Sequence, residues 1–123
     1  MLRKIAFRGK NRYRKEWLYG NLVQYKDGSF SIDGVPVETN SVGQFTGMLD
    51  KNGKEIYEGD IVRYYDDIED ELVSSHVIYH KESCSFCAAP TELCGDYIGI
   101  CAHWQFEVIG NIFDNSGLLS KKQ

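Results

Sequence analysis

Between positions 43 and 59 a glycine returns every four to six residues, at Gly43, Gly47, Gly53 and Gly59. Glycines at that spacing suit tight corners and close approach of one backbone to another. The segment therefore predicts a small, strongly bent sheet, filled by Phe45, Ile56, Tyr57, Ile61 and Val62. The rest of the chain shares the bias, because sixteen aromatic residues and eighteen Ile or Val stand against four Ala. That balance favours strands over a helical bundle. With 123 residues, 42% hydrophobic and 26% charged, one domain can bury a core without disulfide staples. Collagen, coiled coil and wholesale disorder are excluded.

Turn chemistry divides the chain. Lys26-Asp27-Gly28-Ser29, between Trp17–Tyr25 and Phe30–Ile32, predicts an N-terminal β-hairpin. Asn52-Gly53 predicts a second turn, after the strand-like Val42–Leu49. Glu58-Gly59-Asp60 predicts a third, with Gly59 at positive φ and the Asp60 carboxylate accepting turn amides. In the first strand, alternation sets Arg3, Ile5 and Phe7 on one side, read as the mostly apolar inner face, and Lys4, Ala6 and Arg8 on the other. Leu72 to His80 is a strand with Val73, Val77 and Tyr79 on one face and Leu72, His76, Ile78 and His80 on the other. Glu82 to Gly95 reads as irregular, Tyr97–Cys101 and Gln105–Phe113 as closing strands. Leu118-Leu119 reads as a terminal turn docked on the core, and 120–123 as frayed.

The formal charge of −4 conceals a polarised chain. Residues 1–15 carry seven basic and no acidic side chains, while Asp66-Asp67-Ile68-Glu69-Asp70-Glu71 is too acidic for an interior strand and reads as an exposed loop. No apolar stretch reaches the length of a signal-peptide core or a membrane span, which predicts a soluble, cytosolic protein with its four Cys reduced.

Two blocks of sequence add a resemblance. Pro36-Val37-Glu38-Thr39-Asn40-Ser41-Val42-Gly43-Gln44-Phe45-Thr46-Gly47, continuing through Asp50-Lys51-Asn52-Gly53-Lys54-Glu55-Ile56-Tyr57-Glu58-Gly59-Asp60-Ile61-Val62, resembles the signature of the YopX family of phage and prophage proteins. Glu107-Val108-Ile109-Gly110-Asn111-Ile112-Phe113-Asp114-Asn115 resembles that family's closing strand, and Ile5-Ala6-Phe7-Arg8 its opening one. After the opening strand, Gly9-Lys10-Asn11-Arg12 replaces the family's aromatic and acidic continuation. The resemblance implies a small, mainly β protein carried by bacteriophages or prophages, with an SH3-like barrel and little helix. It implies no catalytic activity and no ligand, so it transfers no functional residue. A single domain over 1–123 then divides into a basic strand and hairpin (1–35), the barrel signature (36–65 and 105–115) and a variable insert (66–104) holding all four Cys.

Three constellations could carry function. Cys84, Cys87, Cys94 and either Cys101 or His103 offer a ligand set for Zn²⁺, in which the Cys84-x-x-Cys87 spacing supplies two thiolates from one turn. His76 and His80, four extended residues and roughly 13 Å apart, cannot both join it. The competing reading is small buried thiols and surface imidazoles. Arg8, Lys10, Arg12, Arg14 and Lys15, interleaved with Phe7, Tyr13 and Trp17, could contact phosphates and stack on bases, against an acidic pI near 5.3. Gln44, Thr46, Glu55, Glu58 and Asp60 could form a polar site, though acids beside glycine corners ordinarily serve as turn acceptors. No phosphate loop, dinucleotide fingerprint, nucleophile elbow or zincin motif is present, which points away from an enzyme. The expected role is a non-catalytic accessory or regulatory interaction module, with a protein partner or self-association. Nucleic-acid binding and a Zn-stabilised module are the alternatives, and no membrane partner or other cofactor is expected.

Overall fold

The computed structural model describes residues 3–119. They form a mainly β protein of twelve strands in three antiparallel sheets. The first sheet orders β2 (Trp17–Gly20), β1 (Phe7–Lys10), β6 (Gly43–Leu49) and β7 (Glu55–Tyr57). The second orders β11 (Ile98–Gly99), β10 (Ser85–Ala88), β9 (Glu71–His80), β8 (Asp60–Asp66) and β12 (Glu107–Asn111). The third is β3 (Leu22–Gln24), β4 (Phe30–Ile32) and β5 (Val35–Val37). None of the three closes into a barrel, where the family resemblance implied an SH3-like one. Among the described residues no helix is long and apolar enough to cross a membrane.

The turns form where their chemistry requires. Gly28, Gly53 and Gly59 all have positive φ, the region in which a Cβ is strained. Tyr25 N–H donates to Ser29 O across the first hairpin, pairing β3 with β4. The predicted hairpin forms, but Trp17–Tyr25 is not one strand. It breaks at Asn21, whose amide donates to the Asp33 carboxylate, and the chain passes there from the first sheet to the third. Asp66 to Glu71 is likewise partly strand. Asp66 is buried at the end of β8, where its carboxylate accepts the amides of Ile68 and Glu69 and shapes the turn into β9.

The main core lies on one face of the second sheet and gathers Ile56, Val62, Tyr64, Val73, Val77, Ala88, Cys94 and Phe106. A smaller core of Ala6, Phe45 and Tyr57 belongs to the first sheet. All five predicted filling residues are buried, Ile56 and Val62 in the main core, Phe45 and Tyr57 in the smaller one and Ile61 outside both, rather than enclosed by one barrel. The predicted inner face of the first strand is reversed. Ala6 and Arg8 are buried while Ile5 is exposed, because Arg8 has a buried partner far along the chain.

Other differences lie toward the C-terminus. Ser85–Ala88 is the strand β10 rather than irregular, paired with Val77–His80 of β9. The closing strand stops at Asn111, whose side chain accepts the Asp114 amide and starts a short helix, α1 (Ile112–Asn115). Leu118 is exposed rather than docked on the core. The frayed tail expected at 120–123 falls outside the described residues.

Asp50 joins the first two sheets. One carboxylate oxygen accepts the amides of Asn52 and Lys54 within the Asn52-Gly53 turn, and the other accepts Val108 N–H from β12 at 3.0 Å. Burial pushes this carboxyl up, but the Val108, Lys54 and Asn52 amides outweigh it and hold the group below its ordinary value of 3.8. Asp50→Ala leaves three amides without their acceptor and should cost about 2 kcal/mol or more in denaturant unfolding. A carboxylate with a depressed folded value stabilises above its unfolded value and loses that stabilisation as pH falls through the folded one. The gap between variant and wild type should therefore narrow below about pH 4. A gap unchanged with pH would refute the role of the charge.

Candidate functional site

The corner Glu58-Gly59-Asp60, between β7 and β8, touches more of the fold than any other turn described above. Glu58 N–H donates to Gln44 O in the first sheet, and Gly59 N–H donates to Val77 O in the second. Gly59 O accepts Ile112 N–H from α1. Glu58 O lies 2.3 Å from where a Cβ on Gly43 would stand, so β6 can approach only as glycine. The Asp60 carboxylate accepts Tyr57 N–H at 2.7 Å, as the sequence predicted.

Arg8 reaches this corner from β1. Its Nη1 lies 2.8 Å from Asp60 Oδ1 in a pair whose side chains are 7% and 2% exposed. The guanidinium packs on two aromatic faces, 4.8 Å from the Trp17 ring centroid and 5.2 Å from that of Tyr57. Nη2 makes only a 3.5 Å contact with Glu58 O, and Nε has no hydrogen-bond partner among the described residues. Burial pushes the Asp60 carboxyl above its ordinary value, with Arg8 and the Tyr57 amide pulling the other way. The charge is thus held in place at a desolvation cost.

Two clefts open on either side of a wall formed by Arg8, Trp17 and Asn111. The larger, about 490 Å³, contains Tyr19, Lys54, Glu55, Tyr57, Asp60 and Asp114. The smaller, about 280 Å³, contains Val42, Glu58, Gly59, His76, Ile78, Ile112 and Phe113. Acids in the larger cleft already have partners. Asp114 accepts Trp17 Nε1–H at 2.9 Å and pairs with Lys10, whose hydrogen bond is the foremost cause holding that carboxyl below its ordinary value. Glu55 pairs with Lys4 and accepts the Tyr57 hydroxyl. Burial and then Glu55 push that hydroxyl up to about 12.

The candidate polar set Gln44, Thr46, Glu55, Glu58 and Asp60 is thus largely absorbed into structure. Glu58 Oε1 accepts Gln44 N–H, and Thr46 Oγ donates to Ile56 O. The basic set is not one surface. Arg8 is buried, Lys10 pairs with Asp114 and Lys15 with Glu38, leaving Arg12 and Arg14 exposed beside Tyr13 with no ion pair among the described residues. Asn11, itself buried, shapes their loop by accepting the amides of Tyr13 and Arg14.

The sulfur ligands are also dispersed. Cys84 is exposed in the β9–β10 turn, where its thiol faces Lys81 O, whereas Cys87 is buried on β10. The Cys-x-x-Cys segment therefore runs from the turn into β10 rather than lying within one turn. Cys94 lies in the main core beside the Tyr64 hydroxyl, which burial and then this thiol push upward. Cys101 and His103 are exposed after β11, His103 edge-on to Trp104. The described residues hold no group of three or more His, Cys, Asp or Glu able to bind a metal.

The site most of the structure converges on joins Arg8, read in the sequence as part of a basic stretch, to Glu58 and Asp60, read there as part of a separate polar set. Breaking the pair from either end should destabilise by roughly 3–5 kcal/mol, because each single change leaves the other charge buried. Arg8→Met with Asp60→Asn should cost less than the sum. The two singles should differ with pH. Stranded Asp60 can take up a proton, so its folded value rises further above the unfolded one and the Arg8→Met deficit shrinks on acidification. Stranded Arg8 cannot lose its proton, so the Asp60→Asn deficit should persist. Urea unfolding across pH checks both, and additive, pH-independent losses would count against a coupled pair.

Comparison with known proteins adds a family. No curated protein matches the chain. A family model described as YopX protein matches residues 6–120, a span that includes Arg8, Trp17, the Glu58-Gly59-Asp60 corner and both clefts. The chain belongs to the YopX protein family.

Proposed function

We propose that the protein is a non-catalytic interaction module of a phage or prophage programme, acting in the bacterial host cytoplasm on a protein partner. Its binding surface is the pair of clefts around Arg8. The observation that carries this reading is the state of the acids in the larger cleft. Asp60, Asp114 and Glu55 are each engaged by a basic side chain and by further donors. Acid–base work needs a group free to exchange a proton with a substrate, whereas groups fixed by mutual pairing give a preorganised surface. Exposed aromatics at the edges supply contact area, with Tyr19 in the larger cleft and Phe113 in the smaller.

Tyr19→Ala and Phe113→Ala remove those aromatics without touching the Arg8–Asp60 pair. Affinity capture from host lysate should recover a partner with wild type and lose it with one or both variants, each shown by circular dichroism to be folded. Recovery of the same partner by wild type and by the double variant would place binding elsewhere and overturn the reading.

A further inference from the structure

Away from the clefts, two exposed patches of opposite charge stand apart from the pairing network. The first is the loop between β1 and β2. Its backbone is closed by Arg12 N–H to Pro36 O, by Lys15 N–H to Asn11 O, and by the Asn11 side chain, which accepts the Tyr13 and Arg14 amides. This fixed loop holds out Tyr13, 74% exposed, between Arg12 and Arg14, neither of which has an ion pair among the described residues. The acids within reach of the Arg12 charge, Asp27 and Glu38, are held more closely by Ser29 and Lys15.

The second patch is the outer end of the β8–β9 hairpin. Tyr65 and Leu72 stand opposite each other in register and are 46% and 59% exposed, and Ile68 in the turn between them is 89% exposed. Around these apolar groups lie Asp67, Glu69, Asp70 and Glu71, all exposed and none in an ion pair among the described residues. Buried Asp66 fixes the turn by accepting the Ile68 and Glu69 amides. The cation of β8, Arg63, is taken by Glu107. Arg8 ties β1 to the Asp60 end of β8, whereas the acidic turn lies beyond Asp66, about 20 Å along the strand.

The patches match in chemistry. One sets two cations beside an aromatic ring, and the other sets carboxylates around exposed apolar side chains. Opposed charges of this kind steer encounter and fix orientation, while the ring supplies contact area. A nucleic-acid strand fits the loop less well, because the chain carries a net charge of −4 and its acidic turn repels phosphates. A second copy brings the complementary patch with it.

We propose that the Arg12-Tyr13-Arg14 loop of one copy docks on the acidic end of the β8–β9 hairpin of a second, with Tyr13 against Tyr65 and Leu72 and the arginines on Asp67 and Glu69. Where a two-fold axis relates the copies, the contact is made twice. This surface is separate from the clefts, so its failure leaves the proposed partner site standing.

The test is analytical ultracentrifugation of the full chain from ~10 µM to ~1 mM. Wild type should self-associate at low salt with a dissociation constant of about 10–100 µM, weakened about tenfold or more at high salt. Arg12→Glu with Arg14→Glu, and separately Asp67→Lys with Glu69→Lys, should each give a monomer, because like charges then face each other. Mixing the two variants should restore association, since each altered patch meets its opposite. All four positions are exposed, and circular dichroism checks that the variants are folded. Leu72→Ser, which leaves every charge in place, should weaken association of the otherwise wild-type chain. A wild type that stays monomeric or associates independently of salt, association untouched by either charge reversal, or folded variants that stay apart when mixed would overturn the inference. A monomeric wild type that binds an oligothymidylate through Arg12 and Arg14 would assign the loop to nucleic acid and overturn it as well.

Discussion

A buried charge pair, Arg8 with Asp60, joins the first strand of one sheet to the first strand of the core region of another. The two residues are 52 positions apart, and the pair sits where β7 turns into β8. Its polar surroundings come from the corner itself: the Tyr57 amide on Asp60, the Glu58 carbonyl beside Nη2, and the Trp17 and Tyr57 rings on the guanidinium faces. Such a pair is weak evidence for net stability, because burying both ions costs several kcal/mol each and apolar replacements are often neutral or better. Its effect here is on geometry. With Arg8 and Asp60 matched, the first and second sheets can meet in one register, and that register opens the clefts on both sides of the guanidinium.

Asp50 repeats the device at a distance. Its carboxylate ties the Asn52-Gly53 turn of the first sheet to Val108 on the edge of the second. Lys51 N–H adds a bond to Phe106 O. Small cores stabilise each sheet poorly by themselves, and among the described residues the smaller one gathers Ala6, Phe45 and Tyr57. Fixed polar links between sheets therefore take a share of the organisation that apolar burial supplies in larger domains.

Local chemistry was legible in the sequence wherever it acts over a few residues. The Asp27-Gly28 hairpin, the Asn52-Gly53 turn, the positive φ of Gly59 and the Asp60 turn acceptor all follow from glycine and carboxylate chemistry within a few positions. Alternation placed Val73 and Val77 on the core face of β9 correctly. The same rule failed for β1, since it assigns the apolar residues inward and cannot see that an arginine has a carboxylate waiting 52 residues later. Ser85–Ala88 was hidden for a related reason. Its Cys and Ser content resembles a loop, and its strand character comes from pairing with Val77–His80. The candidate site was only partly readable, because Arg8 counted among seven basic residues whose separate fates depend on Asp60, Asp114, Glu38 and Glu55. Closure of the sheet was not readable at all, since strand number and turn chemistry are compatible with open sheets as well as barrels.

Native-state hydrogen exchange on Asp60→Asn, compared with wild type, tests most directly whether this pair sets how the sheets meet. If it does, protection should fall together in β1 and β6 of the first sheet and at Gly59 and Ile112 beside the second, with the β9–β10 ladder largely retained. Loss confined to residues adjoining position 60, with β1 and β6 as protected as in wild type, would show that the sheets hold their arrangement without it.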